Sequence, residues 1–300
     1  MTATADIGVI GGSGFYALDA IEAPERVELD TPFGRPSGPY VVGTLRGQRV
    51  AFLARHGEGH TILPHELPAR ANIHGFRQLG VDRLFAASAV GSLQQHIEPG
   101  HAVMPDQLID RTRGRPPSFF GDGLVAHVGL ADPFCAPLAQ HLASAAIGVG
   151  VTAHEGGTLV VIEGPAFSTR AESELFRSWG ADIVGMTALP EARLAREAEL
   201  CYASICFVTD YDVWHEHEED VSADLVLRVL RENTDRARAI LASAIEGLGD
   251  DGACECRGAL ASALMSAPHQ VPAETRARLA LLVDRYWGPA DSESSGEDAS

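Results

Sequence analysis

The sequence predicts an α/β fold: a single domain whose central sheet is covered by helices on both faces. Three observations carry this expectation. Short runs rich in Val, Ile and Leu recur with Gly or polar residues between them, which suits buried strands. Helix-like stretches separate several of these runs, the alternation expected of a sheet flanked by helices. The 300 residues carry 45% hydrophobic side chains, enough to bury a core without disulfide or metal support.

In chain order, the strand-like runs are Ile7–Ile10, Val50–Ala54, Leu84–Ala89, Leu159–Ile162, Ile183–Met186 and Ser204–Val208. Helices are expected over Leu67–Leu79, Pro137–Ala146, Arg170–Trp179, Glu191–Leu200 and Asp220–Leu248. In the last of these, Leu225, Val226, Val229, Leu230, Ile240, Leu241 and Ile245 recur at three- and four-residue spacing. A composition break at Gly247–Gly252 closes the expected domain, residues 1–247. Residues 248–288 read as a C-terminal appendage with helical patches at Gly258–Met265 and Pro272–Trp287, and residues 289–300 as a disordered acidic tail.

Charge narrows the chemistry. Asp and Glu number 41 against 23 basic residues, a formal net charge of −18, and every basic residue is Arg. Without a lysine the chain has no side-chain primary amine for Schiff-base chemistry and none for a lysine-bearing phosphate loop. A surface this acidic disfavours nucleic acid and anionic membranes, so an anion must bind in a local pocket. The same composition suits a cytoplasmic protein of a halophilic source, where salt screens self-repulsion. No apolar run is long enough to span a bilayer, and Met1–Asp6 carries no secretory signature. Five cysteines are too scattered for a disulfide scaffold, and Cys254-Glu-Cys256 is their one local cluster, open to reading as a redox-active bridge, half a metal site or ordinary thiols. Cytoplasmic context favours thiols.

Four strand ends offer donors to an oxyanion. Ile7–Gly11 runs into Gly12-Ser13-Gly14, a turn that exposes backbone N–H groups beside a hydroxyl. The glycine pattern fits a dinucleotide fingerprint in form only, since Pro24 and a Pro/Gly-rich segment follow where a helix is required. Arg55-His56 leaves the next run, offering a bidentate fork and a second donor. Ser88 with the Ala89 backbone, and Thr187 after Met186, close the other two. Open α/β sheets bind ligands beyond the carboxyl ends of their strands, which allows all four to converge on one phosphate. No metal is expected: His56 with His60 lacks a third ligand at compatible spacing, and His215-Glu-His217-Glu-Glu-Asp220 lacks the i, i+4 histidines of a helical zinc motif. Asp210 and Asp212 follow the run Ser204–Val208. A carboxyl of raised pKa can donate to a ring nitrogen while its neighbour accepts from an amino group, the pattern of adenine N7 and N6; a metal pair or a helix cap is an equal alternative from these residues alone.

Taken in order, Gly11–Gly14, Asp30-Thr-Pro-Phe-Gly34, Ala54-Arg-His-Gly57, Ile162-Glu-Gly-Pro-Ala-Phe-Ser168, Met186-Thr187, Glu197-Ala198 and Thr209-Asp-Tyr-Asp212 resemble the 5′-methylthioadenosine phosphorylases, a branch of the trimeric purine nucleoside phosphorylase family. The resemblance spans roughly residues 6 to 245. It implies a phosphorylase/hydrolase-like fold with a central mixed sheet flanked by helices. It also implies a homo-oligomer, a trimer or hexamer, that splits methylthioadenosine with inorganic phosphate as co-substrate and without a cofactor.

The resemblance implies phosphate on Ser13, Arg55, His56, Ser88, Ala89 and Thr187. The nucleoside would lie on Phe167, Ser168 and Met186, with the base edge on Asp210 and Asp212 and the 5′ group on Ala223, Val226, Leu227 and a neighbouring subunit's His127. Ala223 is smaller than the residue of the animal form, which leaves room for a 5′-hydroxyl and so for adenosine. The Cys-x-Cys is similar to that of archaeal members, which implies disulfides and a Cys135–Cys206 bridge. A 6-oxopurine phosphorylase, a nicotinamide-dependent oxidoreductase and a non-catalytic nucleotide-binding protein are the alternatives. The carboxylates Asp210 and Asp212 speak against the first, and the missing helix after Gly14 against the second.

Overall fold

Strands that are apolar on both faces must sit inside a sheet, and they do. The computed structural model describes residues 4–11, 21–215, 222–249 and 254–289, with residues 223–234 followed through their backbone alone. Its strands are β1 (Ile7–Gly11), β2 (Glu22–Val27), β3 (Tyr40–Leu45), β4 (Gln48–Ala54), β5 (Arg83–Ser92), β6 (Ala102–Met104), β7 (Gln107–Arg111), β8 (Ala153–Glu155), β9 (Thr158–Ile162), β10 (Ile183–Gly185) and β11 (Cys201–Asp210). The helices are α1 (Ala69–Gln78), α2 (Ala136–Gly148), α3 (Arg170–Ser178), α4 (Ala188–Glu197), α5 (Ala223–Glu246) and α6 (Ala273–Trp287).

All these strands belong to one mixed sheet, as expected. Its main path is β2-β3-β4-β1-β5-β10-β9-β7, and β11, β6 and β8 branch from β5. The long β5 holds the branch: parallel β1 pairs with Arg83–Ala87, antiparallel β10 with Gly91 and Ser92, and β11 runs parallel along the other edge. On one face, Ile7, Val9, Phe52, Phe85, Ala203 and Ile205 pack under Leu138 and Leu142 of α2 and Ile240 and Leu241 of α5. On the other, Ile10, Leu53, Leu84 and Tyr202 pack under Ile73 and Phe76 of α1, Leu194 of α4 and Leu279 and Leu282 of α6. Neighbouring residues thus point to opposite faces, and both faces are dry.

Differences from the sequence expectation have local causes. Edge strand β2 reads EAPERV; its Pro24 and charges suit an edge, and they hide the strand from a hydrophobic pattern. The expected helix Gly258–Met265 is instead a short 3₁₀ turn, Glu255–Gly258, followed by further turns. There the backbone is satisfied from outside, His127 N–H donating to Ala263 O at 2.9 Å and Met265 N–H to Val125 O at 2.9 Å. No helix of the described residues is long and apolar enough to cross a membrane.

Candidate active site

Register builds the site. Gly11 of β1 lies level with Ala54 of β4 and Ala87 of β5, so Arg55, just past the end of β4, and Ser88, inside the longer β5, stand in one row. Asp210, the last residue of β11, lies level with Gly91. Three strand rises therefore separate Ser88 from Asp210, roughly 10 Å along the sheet at about 3.3 Å per residue. A nucleoside with its attacking anion spans such a distance.

Arg55 is buried and heavily engaged. Its Nε and Nη2 donate to the two carboxylate oxygens of Glu191, the latter at 3.1 Å, while Nη1 donates to Ala87 O at 3.0 Å and Nη2 to Ile10 O at 3.4 Å. The expected bidentate fork is thus spent on Glu191, and one of the five N–H donors, on Nη1, stays uncommitted. Burial alone would lower Arg55, but Glu191 more than offsets this and leaves it above its ordinary value. His56 Nδ1 lies 2.8 Å from Ile62 O, and burial followed by the charge of Arg55 lowers the imidazole to about 4. The ring is therefore neutral at pH 7, with Nδ1–H donating and Nε2 left as an acceptor. Ser88 Oγ lies 3.6 Å from Cys206 Sγ. Thr187 occupies the position before α4, and its hydroxyl makes no cap hydrogen bond.

The base end is built differently. Register shifts between Val208 and Asp210, a bulge that leaves Thr209 without a register partner on β5 and sets Asp210 opposite Gly91. Thr209 Oγ1 donates to Asp210 Oδ2 at 2.7 Å, and the Asp212 N–H donates to Asp210 Oδ1 at 2.8 Å. Burial nevertheless raises Asp210 to about 6, and it raises Asp212 as well, against the opposing effect of the Ser173 and Ser168 hydroxyls. Asp212 adopts φ +52°, a left-handed conformation that strains a residue with a side chain. Asp212 Oδ2 and the Oγ atoms of Ser168 and Ser173 are buried without a partner of hydrogen-bonding geometry. Three such atoms in one neighbourhood mark a place for a polar ligand. Beside Ser168, Phe167 is 39% exposed, a large apolar face left uncovered.

Sequence reading missed two residues that order this site. Glu191 is buried, clamps Arg55 and accepts from Tyr202 Oη at 3.1 Å. Arg115 joins two segments: Nε donates to Glu163 Oε2 at 3.0 Å, Nη1 to Met186 O and Leu189 O at 2.7 Å each, and Nη2 to Glu163 O at 2.6 Å. Met186 is thereby fixed against the loop Ile162–Ser168, where a Cβ on Gly164 (φ +67°) would fall 2.6 Å from Met186 Sδ. Gly91 is required similarly, since its Cβ would lie 2.9 Å from Asp210 Oδ1. The signal for Glu191 was present, a carboxylate on an apolar helix face opposite a lone buried Arg; nothing in the spacing marks Arg115.

Other expected residues fall elsewhere. His127 is exposed, held through its backbone to Ala263. Ser13, His217 and the side chains of Ala223, Val226 and Leu227 lie outside the described residues, as do residues 291–300. The implied Cys135–Cys206 bridge is corrected. Cys206 packs with Ser88 and Ser204, whereas Cys135 Sγ lies 3.7 Å from Cys254 Sγ. The cause is strand geometry: Cys201 and Cys206 are five residues apart on β11, hence on opposite faces and roughly 16 Å apart.

A mixed sheet with anion donors at its strand ends and two buried carboxyls one nucleoside length away describes an enzyme of the nucleoside-cleaving type. The family model of the phosphorylase superfamily matches residues 6–246, and the chain belongs to that superfamily. It is 51% identical over 284 residues to the S-methyl-5′-thioadenosine phosphorylase of Koribacter versatilis (strain Ellin345), covering 95% of this chain and 97% of that protein. Among solved structures it is similar to a methylthioadenosine phosphorylase from an Antarctic soil metagenomic library, with TM-score 0.89 and 45% identity over 94% of this chain and 100% of that one. The Schistosoma mansoni methylthioadenosine phosphorylase in complex with adenine gives TM-score 0.76 and 38% identity over 81% and 91% of the two chains.

Proposed function

We infer that the chain catalyses phosphorolysis of S-methyl-5′-thioadenosine to adenine and 5-methylthioribose 1-phosphate. Relatives of that activity at about half identity over nearly the whole chain support it. The observation that carries the mechanism is the register that sets Asp210 three strand rises beyond the donor row at Gly11, Arg55 and Ser88.

Phosphate sits in that row, on Ser13, His56, Ser88, the Ala89 backbone, Thr187 and the uncommitted Nη1–H of Arg55. Because Glu191 neutralises Arg55, neutral donors carry much of the binding, and the His56 Nε2 acceptor suits a protonated phosphate oxygen. Phe167 stacks on the purine, Met186 holds the ribose, and Ser168 and Asp212 meet the base edge. A phosphate oxygen bonds to the anomeric carbon as the bond from that carbon to N9 breaks, and its electron pair moves into the purine. Asp210 gives its proton to N7, so adenine leaves neutral and Asp210 becomes a carboxylate.

Nothing in these steps calls for a cofactor. His127, exposed in one chain, completes the 5′ end of a neighbouring subunit's site in a homotrimer or larger assembly, beside Ala223, Val226 and Leu227. The acidic, lysine-free surface fits a cytoplasmic enzyme of a high-salt cell.

Incubating the purified enzyme with methylthioadenosine should release adenine only when phosphate is present. Equal release in phosphate-free buffer would replace phosphorolysis by hydrolysis, and release of hypoxanthine from inosine at a higher kcat/KM would move the enzyme to the 6-oxopurine class.

A further inference from the structure

Four cysteines from three distant stretches meet at the end of β11 away from the active site. Cys135 precedes α2, Cys201 opens β11, and Cys254 and Cys256 flank Glu255 where the C-terminal segment begins. Their four sulfur atoms all lie within 4.8 Å of one another, and Cys135 Sγ to Cys254 Sγ is 3.7 Å. None is bonded to another sulfur.

These separations match one kind of centre well. A tetrahedral zinc ion with zinc–sulfur bonds of ~2.3 Å spaces its ligand atoms about 3.8 Å apart, whereas a disulfide needs ~2.05 Å. The set is all thiol, which selects a soft or borderline metal and excludes calcium and magnesium. Cys135, Cys201 and Cys256 are buried and Cys254 partly so, leaving no open position for a reacting water. A four-thiolate zinc centre carries two negative charges, and Arg196 Nη1, 3.5 Å from Cys256 Sγ, supplies a nearby cation and a donor to sulfur.

We propose that Cys135, Cys201, Cys254 and Cys256 bind one zinc ion per chain as a closed structural site. Binding releases the four thiol protons and moves no electrons. The ion ties the C-terminal segment to the start of α2 and to β11. The same segment pairs with residues 125–127 through Ala263 and Met265, so zinc also steadies the stretch that carries His127.

The test uses the full chain, without a metal-affinity tag, produced in zinc-supplemented medium. Mass-spectrometric metal analysis should find about one zinc per chain. Titration of the native protein with p-hydroxymercuribenzoate should release that zinc to a chromogenic chelator, and cobalt exchange should give the intense absorption of a tetrahedral thiolate site. Zinc should fall to near zero in Cys135→Ser and in Cys254→Ser/Cys256→Ser, and stay unchanged in Cys206→Ser. Should the variants fail to fold, the wild-type titration decides alone. Zinc-free protein whose denatured chain is lighter by two or four hydrogens and resists alkylation at these residues would overturn the proposal in favour of disulfides. Zinc-free protein with four alkylatable thiols that takes up neither zinc nor cobalt would overturn it outright, as would iron and sulfide in place of zinc.

Discussion

The phosphate end and the base end of the site rest on the same sheet yet are held in opposite ways. At the phosphate end the row rests on regular parallel strands in register, and Arg55 is bound on nearly every donor by Glu191 and two backbone carbonyls. At the base end the ladder is broken by a bulge, Asp212 is strained, three buried polar atoms lack partners and Phe167 is uncovered. Arg55 is held in place before a ligand arrives; the base end is left for a ligand to complete. Such a division suits a reaction whose small co-substrate is constant and whose base must gain a proton during bond cleavage.

The largest expected effect comes from the unfinished end. Asp210→Asn should lower kcat/KM for methylthioadenosine by ~10²–10⁴-fold, the usual worth of a general acid. It should also shift preference toward 6-oxopurine nucleosides, because an amide can donate to O6. The pH profile sharpens this point. Burial raises Asp210 to about 6, so its proton is present below that pH and is lost above it. The kcat/KM profile of the wild type should therefore fall on its alkaline side from near pH 6, with a limb that the Asn variant lacks. A wild-type profile flat from pH 5 to pH 8, in intervals of ~1 unit, would remove the proton from the mechanism.

The finished end predicts a loss of stability before a loss of chemistry. Glu191→Ala leaves the Arg55 guanidinium buried without its counter-ion, and breaking such a pair costs ~3–5 kcal/mol. Denaturant unfolding should show that loss. Glu191→Gln should retain more of the stability but raise the KM for phosphate, with a smaller change in kcat, since Arg55 would no longer be held in one orientation. Equal effects on kcat and on the KM for the nucleoside would mean that the two ends are not separable. A smaller change is expected for Phe167→Ala, whose lost base stacking is worth ~1–3 kcal/mol. Nucleoside KM should rise while the melting temperature stays put, because the ring is already partly exposed.

How much of this could be read from the residues depends on which physical signal each part carries. Strands β1, β4, β5, β9, β10 and β11 and all six helices announce themselves through apolar runs and periodicity. Strand β2, charged and at the edge, and the three-residue β6 and β8 carry no such signal. The order of strand-end donors could be seen one motif at a time, but their alignment is a property of pairing register, which no local pattern encodes. Arg115 is hidden for a related reason. It is one of three arginines in residues 111–115, and its role comes from the carbonyls that two remote segments present to it. The Cys-x-Cys could be noticed at once, yet its partners Cys135 and Cys201 are set by packing.

Strand β11 carries a thiol at its first residue and the proposed acid at its last, and it is buried throughout its length. A rod so enclosed cannot gain or lose a residue without turning one of its tips to the wrong side of the sheet. Length changes among kindred proteins should therefore collect in the connecting loops, while the count of residues from Cys201 to Asp210 stays constant wherever both tips are in use.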